Sequence, residues 1–62
     1  MEVKEIIPNL NKKVRYKDST SYTLTGATIR RSKQGEIYYS AELLDKNGRS
    51  VLIVKLEDIT ND

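Results

Sequence analysis

The stretch Tyr22-Thr23-Leu24-Thr25-Gly26-Ala27-Thr28-Ile29-Arg30-Arg31 decides the fold of this 62-residue chain. It is rich in β-branched residues and alternates apolar with polar positions, the pattern of a strand with one buried face. Its phase changes in the middle: Tyr22 and Leu24 share one parity, Ala27 and Ile29 the other. A bulge or sharp bend at Gly26 restores all four to one face, and a bulge of that kind curls a sheet. The stretch therefore predicts a long bent strand in a small, strongly curled antiparallel sheet.

Working outward, Lys13-Val14-Arg15-Tyr16-Lys17 alternates strictly, with Val14 and Tyr16 on one face and three cations on the other. The turn formers Asp18-Ser19-Thr20-Ser21 then predict a tight connection into the long strand. Downstream, Ser32-Lys33-Gln34-Gly35 reads as the next turn. In Glu36 to Leu44, the parity places Ile37, Tyr39, Ala41 and Leu43 toward the core and Tyr38, Ser40 and Glu42 outward. Asp45-Lys46-Asn47-Gly48 separates two apolar runs and predicts a hairpin, because Asn and Gly tolerate positive φ. The return strand, Arg49 to Lys55, holds four consecutive apolar residues, Val51-Leu52-Ile53-Val54, which implies cover on both faces. Leu52 and Val54 are expected in the main core and Val51 and Ile53 beneath another segment.

The chain ends are expected to supply that cover and a seal. Val3, Ile6, Ile7 and Leu10 have partly helical spacing, and Pro8 limits any helix before it. Residues 2–7 thus read as a short strand or a single helical turn packed on the sheet. The apolar i, i+3 pair in Leu56-Glu57-Asp58-Ile59 suits one 3₁₀ turn closing an end of the sheet. Thr60-Asn61-Asp62 reads as a frayed tail. One domain over residues 1–62 is expected, with 1–11 as a covering segment and 12–60 as a small closed barrel.

Composition bounds the chemistry. The chain has no His, Cys, Trp or Phe, and its four aromatic residues are all Tyr. Thiol nucleophiles, imidazole bases, zinc fingers and disulfides are excluded. A chain this short buries only about 60% of its unfolded surface, so it fills one small core and no deep substrate pocket. The carboxylates Glu42, Asp45, Glu57 and Asp58 form no acid–base pair, and the scattered glycines form no phosphate loop. No enzyme activity, cofactor, metal or small-molecule substrate is expected. No apolar run approaches the ~20 residues of a membrane helix, and the absence of cysteine suits a reducing, cytoplasmic setting.

Charge is unevenly distributed. Residues 1–33 carry eight Lys/Arg against Glu2, Glu5 and Asp18, a net of +5. Residues 34–62 carry Lys46, Arg49 and Lys55 against six acids, a net of −3. Lys13, Arg15 and Lys17 should stand about 6–7 Å apart on one outward strand face, a spacing close to that of successive phosphates. Arg30, Arg31 and Lys33 extend the set, and Tyr38 is the outward ring able to stack a base. These seven residues are the candidate DNA or RNA surface; a solvated face whose charges pair across the sheet is the plainer reading of them. Leu44, Val51 and Ile53 are the candidates for a different role, an apolar strip binding a protein or a second copy.

The run Lys13-Val14-Arg15-Tyr16, the bent Tyr22-Thr23-Leu24-Thr25-Gly26-Ala27 and the closing Val51 to Ile59 together resemble the SH3-like β-barrel family, in the broad sense that includes Tudor and KOW modules. In style the chain also resembles small proteins of bacterial mobile elements and phages. The resemblance covers residues 12–60 and implies a mostly β barrel of four or five strands with a C-terminal 3₁₀ turn. With the basic residues and Tyr38, the expected role is a non-enzymatic accessory binding module that associates weakly and without sequence preference with nucleic acid, or alternatively a protein-interaction or self-associating module. Without Trp or an acidic-aromatic loop, proline-rich ligands are not implied, and too few tyrosines are free for a methyl-lysine cage. An OB-type barrel is the alternative fold.

Overall fold

The computed structural model of the chain describes residues 1–17 and 20–61. A 3₁₀ turn at Val3–Glu5 runs into a single α-helical turn, α1, at Ile6–Asn9. Five strands follow: β1 (Lys13–Tyr16), β2 (Thr20–Arg31), β3 (Ile37–Leu44), β4 (Val51–Lys55) and β5 (Ile59–Asn61). A second 3₁₀ turn, Leu56–Asp58, joins the last two. All pairings are antiparallel in the order β4-β3-β2-β1-β5. The fold is mostly β, as the alternation predicts. Among the described residues its sheet is open: β4 and β5 are its two edges, and no pairing joins them into a closed barrel.

The phase change in β2 has the predicted cause. Leu24 lies opposite Leu43 and Gly26 opposite Glu42, so Thr25 is an extra residue in the ladder. The bulge returns Ala27 and Ile29 to the face of Tyr22 and Leu24, opposite Ala41 and Tyr39. Thr25 Oγ1 lies 2.7 Å from Glu42 Oε1 and 3.1 Å from the Glu42 carbonyl oxygen, which ties the bulged residue to β3. Gly26 itself is not required by space: a Cβ there would stand 3.8 Å from Glu42 Oε1, an ordinary contact.

The core lies on one face of the sheet, around Val14, Leu24, Ala41, Leu43, Val54, Leu56 and Ile59. Met1, Ile6, Leu10, Tyr16, Tyr22 and Tyr39 pack against it, half-buried. Burying a Leu or Ile side chain stabilises by about 1.5–3 kcal/mol, so these few residues supply most of the apolar driving force. Leu56 and Ile59 are both buried, which gives the 3₁₀ turn the sealing role read from their spacing. Residues 3–9 are helical, as one of the two expected alternatives had it.

Three expectations at the ends and edge need correction. The N-terminal segment does not cover Val51 and Ile53, which stay 57% and 51% exposed. It packs through Met1, Ile6 and Leu10 onto the core face, whereas Val51 and Ile53 belong to the opposite parity of β4, opposite Leu44 and Glu42. Leu52 shares the core parity but remains 36% exposed, because β4 is an edge strand. Thr60 and Asn61 are not a frayed tail; they pair with Arg15 and Val14 as β5. Of the expected turn at 18–21, Thr20 and Ser21 already belong to β2, and Asp18 and Ser19 lie outside the described residues, as does Asp62.

The two other turns share one design. In Ser32 to Glu36 and in Asp45 to Arg49, the fourth residue is a glycine with positive φ whose N–H donates to the first residue's carbonyl. The fifth residue's N–H donates to the first side chain, Glu36 to Ser32 Oγ at 3.0 Å and Arg49 to Asp45 Oδ1 at 2.9 Å. Ser and Asp at the first position and Gly at the fourth are what such a turn requires. The Arg49 N–H holds the Asp45 carboxyl below its ordinary value of 3.8.

Candidate interaction surfaces

The face of the sheet opposite the core carries members of both sets of candidates. Lys13 and Arg15 project from it on β1, across from Thr23 and Ser21. Arg30 and Tyr38 project from it on β2 and β3, directly opposite one another. Leu44, Val51 and Ile53 project from it on β3 and β4, with Leu44 opposite Val51.

The basic set falls into two groups. Lys13 lies opposite Thr23, and Arg30 lies seven residues further along β2. At strand rise this is a separation of roughly 20 Å. Lys17 leaves the face altogether. It follows the end of β1 with φ 56° and donates its N–H to the Asp58 carbonyl, and its Nζ stands 5.5 Å from the centre of the Tyr16 ring. Arg31 has core-face parity, and its guanidinium folds against the backbone at Gly35. The structure therefore sets Arg30 with Tyr38 on one face of a hairpin end, Arg31 on the other face and Lys33 in its turn, and keeps Lys13 and Arg15 apart from them.

That hairpin end is a two-stranded ribbon. β1 covers only Thr20 to Thr23 of β2, and β4 covers only Ser40 to Leu44 of β3. Beyond those limits β2 and β3 have no further neighbours in the sheet among the described residues, and the molecule reaches 36 Å in its longest dimension against 23 and 20 Å. Ile29 and Ile37 keep the core parity but lie past the end of the core, 63% and 61% exposed. An open groove of about 1010 Å³ runs between this ribbon and the N-terminal turn, lined by Met1, Val3, Ile37, Tyr39 and Leu56 among others. Lys4 and Lys55 line it together with Glu2, Glu36 and Glu57, and Lys4 lies 3.8 Å from the Glu2 carboxylate, so no single ligand charge suits it.

The apolar strip at the other end is the more concentrated feature. Val51 and Ile53 are exposed on the same face of the same edge strand, and Leu44 is half-buried beside Val51. Opposed residues of this kind are close-set, with Cα atoms about 4.5–5.5 Å apart, so the three side chains form one surface. Among the described residues no group of His, Cys, Asp or Glu is arranged to hold a metal, and no helix is long and apolar enough to cross a membrane. Sequence reasoning missed the ribbon with Ile29 and Ile37. Its signal was available in the unequal lengths of the alternating runs, long for β2 and β3 and short for their neighbours.

Comparison with protein-family models, with curated proteins and with solved structures finds no match.

Proposed function

We propose that this chain is a non-enzymatic protein-association module whose working surface is the outer face of β3 and β4 at Leu44, Val51 and Ile53. The observation that carries this reading is the exposure of Val51 and Ile53, both more than half open, next to each other on an edge strand. Small soluble domains seldom leave contiguous apolar side chains on an edge without a partner for them. The reading takes the sheet as an SH3-like relative acting in the cytoplasm without a cofactor; the return of β5 to β1 through the Leu56–Asp58 turn supports that kinship. Its test is retention of proteins from an extract of the source cells on the immobilised chain, at low and moderate salt. Proteins retained at both and lost with Val51→Lys support it. An identical set on wild type and Val51→Lys contradicts it.

A second reading, weak nucleic-acid binding without sequence preference, is favoured by one feature, the two-stranded ribbon carrying Arg30, Arg31 and Lys33 with Tyr38 opposite Arg30. Two-stranded ribbons fit a DNA major groove, and a ring beside an arginine offers a stacking surface. Under this reading, anisotropy titrations with short DNA and RNA give affinity that collapses from low to moderate salt and is lost with Arg30→Glu. No binding at low salt removes it.

A further inference from the structure

We infer that the chain self-associates by pairing β4 with β4 of a second copy, antiparallel, about a two-fold axis at Ile53. The inference rests on β4 being the association surface and commits that surface to one occupant.

The backbone decides the register. The Asp45 N–H donates to the Ser50 carbonyl at 3.0 Å, so these two form a hydrogen-bonded pair at the base of the hairpin. The ladder continues as Leu44↔Val51, Leu43↔Leu52, Glu42↔Ile53, Ala41↔Val54 and Ser40↔Lys55. Hydrogen-bonded and non-hydrogen-bonded pairs alternate along an antiparallel ladder. Ser50, Leu52 and Val54 therefore aim their N–H and C=O groups at β3. Val51 and Ile53 aim both groups away, toward the open side of the sheet, and Lys55 aims its N–H there, while its carbonyl heads the Leu56–Asp58 turn as the N-cap. Among the described residues, no backbone bond from another segment meets them.

This outward set is symmetric about Ile53. A two-fold axis there sets Ile53 opposite its own copy, and Val51 opposite the partner's Lys55 at both ends. Both outward groups of Ile53 then meet those of its copy, and the Lys55 N–H meets the partner's Val51 carbonyl. An axis at Leu52 would leave Lys55 of each copy beyond the partner's β4, and an axis at Val54 would leave Val51 so, whereas the axis at Ile53 pairs all three outward residues.

The side chains and charges agree with the same axis. Val51 and Ile53 lie on one face, so the apolar strips of the two copies, each continued by Leu44, become one strip across the axis. Arg49 stands two residues before Val51, and Glu57 two residues after Lys55; both are exposed. Antiparallel pairing sets the end of β4 next to the turn that holds Arg49 against the end of the partner's β4 that runs into the turn holding Glu57. A parallel arrangement would instead bring like charges together. The pairing joins two five-stranded sheets into one continuous sheet and covers the longer of the two free edges.

A contact this small belongs to the weak end of interfaces, so sedimentation equilibrium of the full chain should extend to about 1 mM. A reversible dimer is expected for the wild type. Ile53→Lys, which opposes two cations at the axis, should weaken it by roughly a hundredfold. Arg49→Glu and Glu57→Arg each create two like-charge contacts and should each weaken it by roughly tenfold. Mixed together, those two variants form a heterodimer in which both contacts are again opposite in sign, so mixing should restore association. Circular dichroism checks that each variant keeps the wild-type fold, and the two charge variants change only exposed side chains. A wild-type monomer at every concentration overturns the pairing, and so does a dimer indifferent to Ile53→Lys or a charge pair that mixing does not rescue. If the wild type is monomeric yet Val51→Lys still loses proteins retained from extract, self-pairing is wrong and the protein-association reading stands. If both are negative, both are wrong.

Discussion

β4 and β5 are the two edges of one sheet, and the molecule treats them in opposite ways. β5 is three residues long, and two of them, Thr60 and Asn61, are polar. The N-terminal segment lies against it: the Met1 ammonium donates to the Ile59 carbonyl, and Asn61 Nδ2 donates to Glu5 Oε2 at 2.7 Å. β4 is five residues long and apolar along four of them, and no described segment pairs with its outer side. Short, polar and covered edges are what monomeric sheets use to prevent pairing, and long apolar open ones invite it. This difference between the two edges is what the proposed association through β4 rests on.

The strongest way to break the comparison is to truncate one anchor on each edge. Ile59 is fully buried, and Ile59→Ala should cost about 3 kcal/mol in chemical denaturation. For a chain of this length, whose total stability is of order 3–9 kcal/mol, that loss is severe. Ile53→Ala, on the open outer face, should change the stability of the isolated chain by no more than about 0.5 kcal/mol. Equal losses would mean that β4 is covered after all.

A smaller effect comes from acid. The Glu2 N–H, and then the Asn61 amide, hold the Glu5 carboxyl below its ordinary value of 4.5. A carboxyl with a lowered folded value contributes stability above its unfolded value, and loses it as pH falls through the folded one. The cover over β5 should therefore loosen in acid. Thermal melts from about pH 6 to about pH 2 should fall more steeply for wild type than for Glu5→Gln, which keeps an acceptor but does not titrate. Asp45 adds a parallel acid loss in both proteins, because the Arg49 N–H lowers its carboxyl in the same direction. Identical slopes for the two would remove Glu5 from the account.

The smallest effect is expected at Gly26. Its φ is not positive and a Cβ would meet only ordinary contacts, so Gly26→Ala should leave the melting temperature within about 4 °C and both edges unchanged. A large loss would show that the bend needs the glycine rather than the extra residue Thr25.

Much of the fold was legible because alternation is a local signal. The parity break across Gly26, the separation of Tyr38 from Tyr39 and the buried pair Leu56 and Ile59 all follow from which face each residue occupies. Which residue forms the bulge was not legible, since Thr25 differs from Gly26 only in the cross-strand register set by Glu42. Cover was not legible either. Four apolar residues at 51–54 imply burial on both faces by composition, but β4 lies at an edge, and strand order is a long-range property. The basic set read as one patch for a related reason. Parity groups Lys13 with Arg15, but only the unequal strand lengths separate them from Arg30. The outward backbone groups at Val51, Ile53 and Lys55 depend on the hairpin register at Asp45 and Ser50, which no side-chain pattern encodes.

Amide hydrogen exchange along β4, measured by NMR as a function of protein concentration, tests the central claim most directly. The Leu52 and Val54 amides, bonded to β3, should be protected at every concentration. The Ile53 and Lys55 amides should exchange freely when dilute and become protected together as concentration rises, while the β5 amides do not change. If Ile53 and Lys55 stay unprotected at all concentrations, or are already protected in the dilute monomer, β4 is not an edge kept open for a second copy.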